Sequence, residues 1–228
     1  MGFLTRRDEQ ATEQMDRPDC DPVLLNNTYR QFRLINAVVA GWRRTWARQI
    51  RPVLSTSRTT RLLDVGSGAG DIPRAFLRWA ARDGVALEVT AIDPDERAHA
   101  YLAALPPAPG FTVRRAHTAD LVAEGAEYDV VTSNHVLHHL SATDLASLLT
   151  DSEALAGRLA VHSDIARTRL GYPAFSVATL PFPRSFIRED GLTSIRRSYR
   201  PEELRAVVPA GWRVEAQRPF RTLLIHRG

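Results

Sequence analysis

The chain has a single cysteine and no lysine. Cys20 alone cannot close an internal disulfide, which fits a reducing compartment and leaves no cysteine cluster for a metal. It sits in the polar stretch Arg17–Asp21 without a neighbouring histidine, so nothing there marks a nucleophile. The absence of lysine excludes a Schiff-base mechanism and a P-loop lysine. All 30 basic residues are arginine, a usage that reflects coding bias more readily than guanidinium chemistry at every site. Long apolar runs are missing too: Leu34–Ala40 and the neighbourhood of Val130–Val131 fall far short of the roughly 20 residues of a membrane helix. So is a signal-peptide pattern, because Met1–Gln10 mixes Arg6 and Arg7 with Asp8 and Glu9. The expectation is a cytoplasmic protein with no stable membrane insertion.

What is present suffices for one well-cored domain with a modest extra lobe, at 228 residues and 44% hydrophobic content. A net charge of +4 and a pI near 9.8 raise nucleic acid as a partner. The arginines come as scattered pairs, however (Arg43–Arg44, Arg114–Arg115, Arg196–Arg197), and dispersed pairs mark solvated faces rather than a nucleic-acid groove.

From Leu25 the large apolar residues recur as Tyr29, Phe32, Ile35, Val39, Trp42 and Trp46, in steps of three or four. That spacing predicts an amphipathic helix, or a broken pair of helices, with Arg30, Arg33, Arg44 and Arg48 on the opposite side and Pro52 as its end. After a linker at Ser55–Thr60, strand and helix patterns alternate. Strands are predicted at Arg61–Val65, Leu87–Ile92, Phe111–Arg115, Tyr128–Ser133 and Arg158–Asp164. Helices are predicted at Ile72–Arg82, Glu96–Leu105 and Leu145–Ala156, then a helix at Pro201–Val208 and a strand pair at Trp212–Gln217 and Phe220–His226. Alternation of this kind specifies an α/β fold: a doubly wound, mostly parallel seven-stranded sheet with an antiparallel C-terminal strand and an N-terminal helical cap. The expected division is a cap or lid over residues 1–54 and a Rossmann-like domain over 55–228, with a lid insertion around 170–190. Open sheets of this type bind ligands along the C-terminal edge of the strands, so the residues just after each strand are the informative ones.

The first strand runs into Asp64-Val65-Gly66-Ser67-Gly68-Ala69-Gly70-Asp71, followed by Ile72-Pro73, and proline is favoured in a helix's first turn. The glycines let a ligand approach the backbone at a helix N-terminus. A dinucleotide fingerprint would read G-x-G-x-x-G, but counting from Gly66 places Asp71 where the third glycine belongs, which disfavours a nicotinamide dehydrogenase. Asp93 ends the second strand, where an acidic residue accepts hydrogen bonds from both ribose hydroxyls of a nucleoside. Asp95, just beyond it, reads as a helix cap.

The D-x-G-x-G-x-G turn, Asp93, the pair Ala119-Asp120 and the run Asn134-His135-Val136-Leu137-His138-His139-Leu140 together resemble the class I S-adenosylmethionine-dependent methyltransferases. The likeness is to the small-molecule branch, of quinone and polyketide type, associated with secondary metabolism. It covers about Arg61–Asp164. It implies S-adenosylmethionine as cofactor, held by Asp64, Gly66, Ser67, Gly68, Gly70, Asp93, Pro94, Ala119, Asp120 and Asn134. Asp64 would either brace the loop or receive the methionyl ammonium, and Asp120 would meet the adenine. Tyr29 and Arg33 on the leading helix are placed to reach over the cofactor, with Arg33 pairing to its carboxylate.

Methyl transfer from a sulfonium asks the protein chiefly to align a nucleophile and exclude water. A hydroxyl acceptor benefits from a base near neutral pH, for which His138, His139 and His162 are the candidates, His139 first. His135, His138 and His139 have a spacing that raises metal binding, but no H-E-x-x-H pattern and no evident carboxylate set accompany them, so no metal is expected. The stretch Tyr172, Phe175, Leu180–Pro183 and Phe186 is broken by proline and rich in apolar residues, and is expected to cover an apolar acceptor pocket. The resulting expectation is methylation, preferably on oxygen, of a small hydrophobic, phenolic or polyketide-like acceptor by a monomer or homodimer. The alternatives are a nucleic-acid methyltransferase and a catalytically inactive nucleotide-binding regulator.

Overall fold

The structure, a computed structural model, describes residues 4–228. The first three residues of the predicted cap lie outside them. Seven strands, β1 (Thr60–Val65), β2 (Leu87–Ile92), β3 (Phe111–Arg114), β4 (Tyr128–Asn134), β5 (Ala156–Ile165), β6 (Arg213–Gln217) and β7 (Arg221–His226), form one sheet in the order β3-β2-β1-β4-β5-β7-β6. β1 to β5 pair in parallel, and β7 runs antiparallel to both β5 and β6. The central strands carry continuous buried runs, Leu62–Asp64, Val130–Ser133 and Leu159–Asp164. Such runs need cover on both faces, which parallel crossovers supply. The cover comes from α3 (Asp71–Arg82), α4 (Glu96–Ala103), α5 (Thr118–Ala123), α6 (Ala142–Leu155) and α9 (Pro201–Val207), together with the N-terminal helices α1 (Pro22–Val39) and α2 (Trp42–Thr45). The predicted doubly wound α/β class is the one that forms.

The sheet divides two cores. One packs Leu63, Leu121, Leu145, Leu149 and Leu224 with Trp212; the other packs Leu62, Val89, Leu159 and Ile225 with Phe76, Trp42 and Trp46. The leading apolar stripe is therefore split between two jobs. Gly41, at φ +68°, ends α1, and the chain resumes as α2 and a π-helical turn over Trp46–Ile50. Ring centroids of Trp42 and Trp46 lie 5.2 and 5.6 Å from Phe76, so this half of the predicted cap is core of the main domain. α1 keeps Leu25, Tyr29 and Ile35 buried and Arg30 and Arg33 exposed, as the stripe predicts.

Residues 170–190, the predicted lid, are more regular than their prolines suggest. They form most of a helical pair, α7 (Gly171–Ala178) and α8 (Ile187–Arg197). Pro173 falls in the first turn of α7, where a missing amide costs no intrahelical bond. Gly191 lies inside α8 because an added Cβ would sit 2.2 Å from the Phe175 ring of α7.

Ahead of α1, residues 4–21 run as a strap across the open edge. Arg7 donates from Nη2 to the carbonyls of His138 and Leu140 (3.1 and 2.7 Å), from Nε to that of Arg197 (2.7 Å), and from Nη1 to the Tyr199 hydroxyl (2.6 Å). Leu4 packs with Ile165 and Ile195. The chain passes from β1 to β2 and β3 on one side and returns to β4 on the other, so a crevice opens at the C-terminal ends of β1 and β4.

Candidate active site

A cavity of about 720 Å³ fills that crevice, within the range of small-ligand sites. At one end lies the glycine turn. Gly66, at φ +65°, presses on Val136, whose Cγ2 would be 2.6 Å from an added Cβ. Gly68, at φ +51°, faces open space, and its amide donates to Asp93 Oδ2 at 2.8 Å. Gly70 supplies the left-handed residue before α3 and is packed against Leu102; it does not line the cavity. Asp64 lies beneath the turn, buried, and accepts hydrogen bonds from the Ser67 and Thr132 hydroxyls, both at 2.8 Å. Burial pushes its carboxyl up to about 7, against the pull of those two hydroxyls.

Asp93 holds the edge of β2 with both oxygens engaged, Oδ2 by Gly68 and Oδ1 by the Asp95 amide at 2.9 Å. Burial raises its pKa and the two amides oppose that rise. Asp95 caps α4 through the Arg97 amide, as expected. Pro94, Ala119 and Asn134 line the cavity as predicted. Asn134 is fixed through Oδ1, which accepts from Trp42 Nε1 at 2.9 Å and from Arg221 Nη2 at 2.8 Å.

Besides Gly70, two predicted contacts are not brought in. Asp120 is exposed and turns back to accept the His117 amide at 2.8 Å, completing the capping box of α5, so the wall here is His117, Thr118 and Ala119. Arg33 is exposed on the outer side of α1 and does not line the cavity, whereas Tyr29 does.

The histidines separate into different environments. His162 is fully buried on β5, stacked at 5.4 Å on Trp212 and bonded through Nδ1 to the Ser133 hydroxyl. Burial pushes its pKa down to about 3, and it does not line the cavity, which removes it from the candidate bases. His138 lines the cavity but is clamped. Its Nδ1 donates to Asp164 at 2.9 Å and its Nε2 faces Glu13 at 3.1 Å. Burial lowers its pKa, but the two carboxylates outweigh this and raise it to about 9, so near neutral pH it is already protonated and cannot accept a proton. His139 differs: 31% of its side chain is exposed, and its Nδ1 lies 3.2 Å from Asp16. Asp16 is an ion-pair neighbour of Nδ1, and Nε2 lies 3.9 Å from Glu13 Oε1.

Other residues of this end escaped the sequence. Glu13, 3% exposed, arrives on the strap and accepts from Ser194 Oγ at 2.7 Å. Its partner His138 is 125 positions away, and no local motif announces it. Asp190 of α8 anchors the strap by accepting the amides of Gln14 and Met15 at 2.6 and 3.0 Å, and burial pushes its carboxyl up to about 7. Arg221, buried on β7, also donates from Nη1 to His135 Nε2 at 2.6 Å. His135 itself stands at φ +60°, a strained conformation held by this bond and by its amide donating to the Ser163 carbonyl. The strap, and Phe175 and Ile187 of α7 and α8, complete the partly apolar lining of the cavity, and Phe32 of α1 joins it where it packs on Ala69 and Ala98.

A family model described as a methyltransferase domain matches residues 39–206. No curated protein sequence matches the chain significantly. Among solved structures, the plantazolicin methyltransferase BpumL in complex with SAH is similar at TM-score 0.65 and 11% identity, covering 94% of this chain and 92% of that one. Human N-acetylserotonin methyltransferase in complex with SAM gives 0.62 and 11%, covering 89% and 55%. Magnesium protoporphyrin IX methyltransferase from Synechocystis PCC 6803 with bound SAM gives 0.53 and 15%, covering 100% and 97%. At these identities the likeness is one of fold.

Proposed function

The chain belongs to the methyltransferase-domain family, and from that premise we propose that it uses S-adenosylmethionine to methylate a small hydrophobic acceptor, preferably on a phenolic or polyketide-like oxygen. The observation that carries the reading is the two-ended cavity. One part of its lining is the glycine turn with Asp64 and Asp93, beside which Phe32 packs on Ala69 and Ala98, and the other is Glu13 and His139 with Phe175 and Ile187. The first part suits the cofactor: the space beside Gly68 is open, the Asp93 carboxylate at the end of β2 suits a ribose diol, and the buried Asp64 has no cationic partner among the described residues, which an ammonium would supply. Small side chains at Ala116 and Ala119 leave room for a flat base. S-adenosylmethionine, when bound, supplies an electrophilic methyl group.

The remaining work belongs to the protein. The chamber formed by the strap, α1, α7 and α8 excludes water and holds the acceptor in line. His139 Nε2 takes the acceptor's hydroxyl proton, with Asp16 orienting the ring and stabilising its positive charge. His138 acts through its fixed charge, joining the strap to β5 by way of Glu13 and Asp164. On this reading the described part of the 1–54 cap divides between a strap and helix that close the acceptor end and a segment belonging to the core of the 55–228 domain. A cytoplasmic location and a monomeric or homodimeric state go with the reading. Among the described residues no helix is long and apolar enough to cross a membrane.

Calorimetric titration with S-adenosylhomocysteine, with NADH and ATP as controls, tests the cofactor. Selective micromolar binding supports the reading and justifies screening phenolic acceptors. Binding of NADH in its place by a folded sample overturns it.

A further inference from the structure

We propose that Glu13, His138 and His139 form a binding site for a divalent transition-metal ion, Zn²⁺ by the nature of its donors, in the wall of the cavity. The inference rests on the proposed function only in naming this end as the acceptor end. Three ligand atoms, a Glu13 carboxylate oxygen and one ring nitrogen from each histidine, lie within 4.8 Å of one another. From Glu13 Oε1 it is 3.1 Å to His138 Nε2 and 3.9 Å to His139 Nε2. A tetrahedral ion with bonds of about 2.0–2.1 Å sets its ligand atoms about 3.3 Å apart, a spacing that lies between the two Glu13–histidine distances.

The orientation of the rings carries the argument beyond mere proximity. The His138 imidazole is held from behind by Asp164, hydrogen-bonded to its Nδ1 at 2.9 Å, and Asp16 stands as an ion-pair neighbour 3.2 Å from His139 Nδ1. This is the carboxylate–histidine arrangement that fixes the tautomer of metal-binding histidines and raises their basicity. A salt bridge to Glu13 needs one imidazole. The second, at 3.9 Å, is too far for a hydrogen bond to that oxygen and yet faces it. Two histidines and one glutamate suit Zn²⁺ better than Mg²⁺, which prefers oxygen donors and water. The ion would displace the proton between Glu13 and His138. The partly exposed His139 gives it an entry path, and three protein ligands leave a fourth position toward the cavity. His139 has one Nε2 lone pair, so in the ion-bound state it is a ligand and not the base.

The test uses untagged full chain, stripped with a chelator and titrated with Zn²⁺ against a chromophoric competitor, and in parallel with Co²⁺ followed by its visible absorption. One equivalent of Zn²⁺ is expected, with the intense bands of four-coordinate Co²⁺. His139→Ala and Glu13→Gln should each weaken Zn²⁺ by more than about a hundredfold, and Asp16→Asn by about 10–100-fold, with folding checked by circular dichroism. Absence of binding, or wild-type affinity in both His139→Ala and Glu13→Gln, overturns the site. S-adenosylhomocysteine titration of the same stripped protein separates the two readings: retained binding without Zn²⁺ uptake sinks the metal site alone.

Discussion

At the scale of single residues, Asp93 and Asp64 make distinguishable predictions. Asp93 already holds the Gly68 amide, so its carboxylate both shapes the glycine turn and is poised for the ribose. Asp93→Ala should weaken S-adenosylhomocysteine by more than about tenfold, the worth of one charge-assisted hydrogen bond, with circular dichroism unchanged. Undiminished affinity by calorimetry would remove the assignment. Asp64 makes binding pH-dependent. Its folded pKa, about 7, is raised above the usual carboxyl value, so its contribution to the stability of the unliganded fold is present below that usual value and lost as pH rises through 7. An ammonium selects the ionised form. Affinity for S-adenosylhomocysteine should therefore rise on the order of tenfold from pH 6 to pH 8, and Asp64→Asn should flatten that profile. A flat profile in the wild type would leave Asp64 as a loop brace only. His139→Ala should lower turnover about 10²-fold or more without moving cofactor affinity; full activity would shift the chemistry to positioning alone. Asp64 and Asp93 were legible because one is the last residue but one of β1, running into the glycine turn, and the other directly follows β2. Asp120 misled because an acidic residue three positions into a helix serves equally as a cap, and local geometry took it. Glu13 and Asp16 had no local signature, since their partners are brought to them only by folding.

Elements were legible where periodicity and covering agreed. Leu87–Ile92 is a strand over the residues its pattern marks: Leu87, Val89 and Ala91 alternate as one buried face, while Glu88 is exposed and Thr90 half-buried on the other. α7 and α8 were not legible, because Pro173 and Gly191 read as breakers until their neighbours are known: one is harmless in a first turn, and the other is required by the Phe175 ring. The strap was also invisible, having no periodicity of its own. Its order depends on side-chain anchors, and Arg7 is the largest of them, reaching His138, Leu140, Arg197 and Tyr199. Arg7→Ala should cost about 2–3 kcal/mol, a fall in melting temperature on the order of 5–10 °C for a chain of this size. Hydrogen exchange should accelerate over residues 4–13, the part of the strap that Arg7 anchors, while S-adenosylhomocysteine affinity holds, because the stretch on the cofactor side is tied separately, Arg97 donating to the Arg17 carbonyl at 3.0 Å and to Cys20 Sγ at 3.2 Å. Acceleration spread evenly over the sheet would mean that the strap is not a separable element.

On the scale of the whole molecule, the excess of arginine was the sequence feature most open to a functional reading, and the fold disperses it. Arg58 pairs with Asp129, Arg97 with Asp95, Arg114 with Glu124, and the buried Arg167 with Glu203. The arginines that do gather, Arg33, Arg74, Arg78 and Arg82, lie on α1 and α3. There burial, followed by mutual repulsion, lowers the pKa of Arg78. None of them lines the cavity, and neither does any other arginine among the described residues. A nucleic-acid methyltransferase needs its positive surface to lead the polymer into the reaction centre, and an enzyme neutralising 6–10 phosphates loses about 10³–10⁵ in affinity between 50 and 200 mM salt. A chamber walled by Phe32, Phe175 and Ile187 has no such dependence, because apolar burial is not screened. Turnover of a small phenolic acceptor should therefore change less than about threefold over that salt range. Duplex or single-stranded nucleic acid, binding only through the outer arginines, should neither compete with the acceptor nor become methylated. Salt-sensitive competition by nucleic acid, measured as a rise in the acceptor's KM at 50 mM salt that vanishes at 200 mM, would instead mean that the α1–α3 face and the cavity act as one surface.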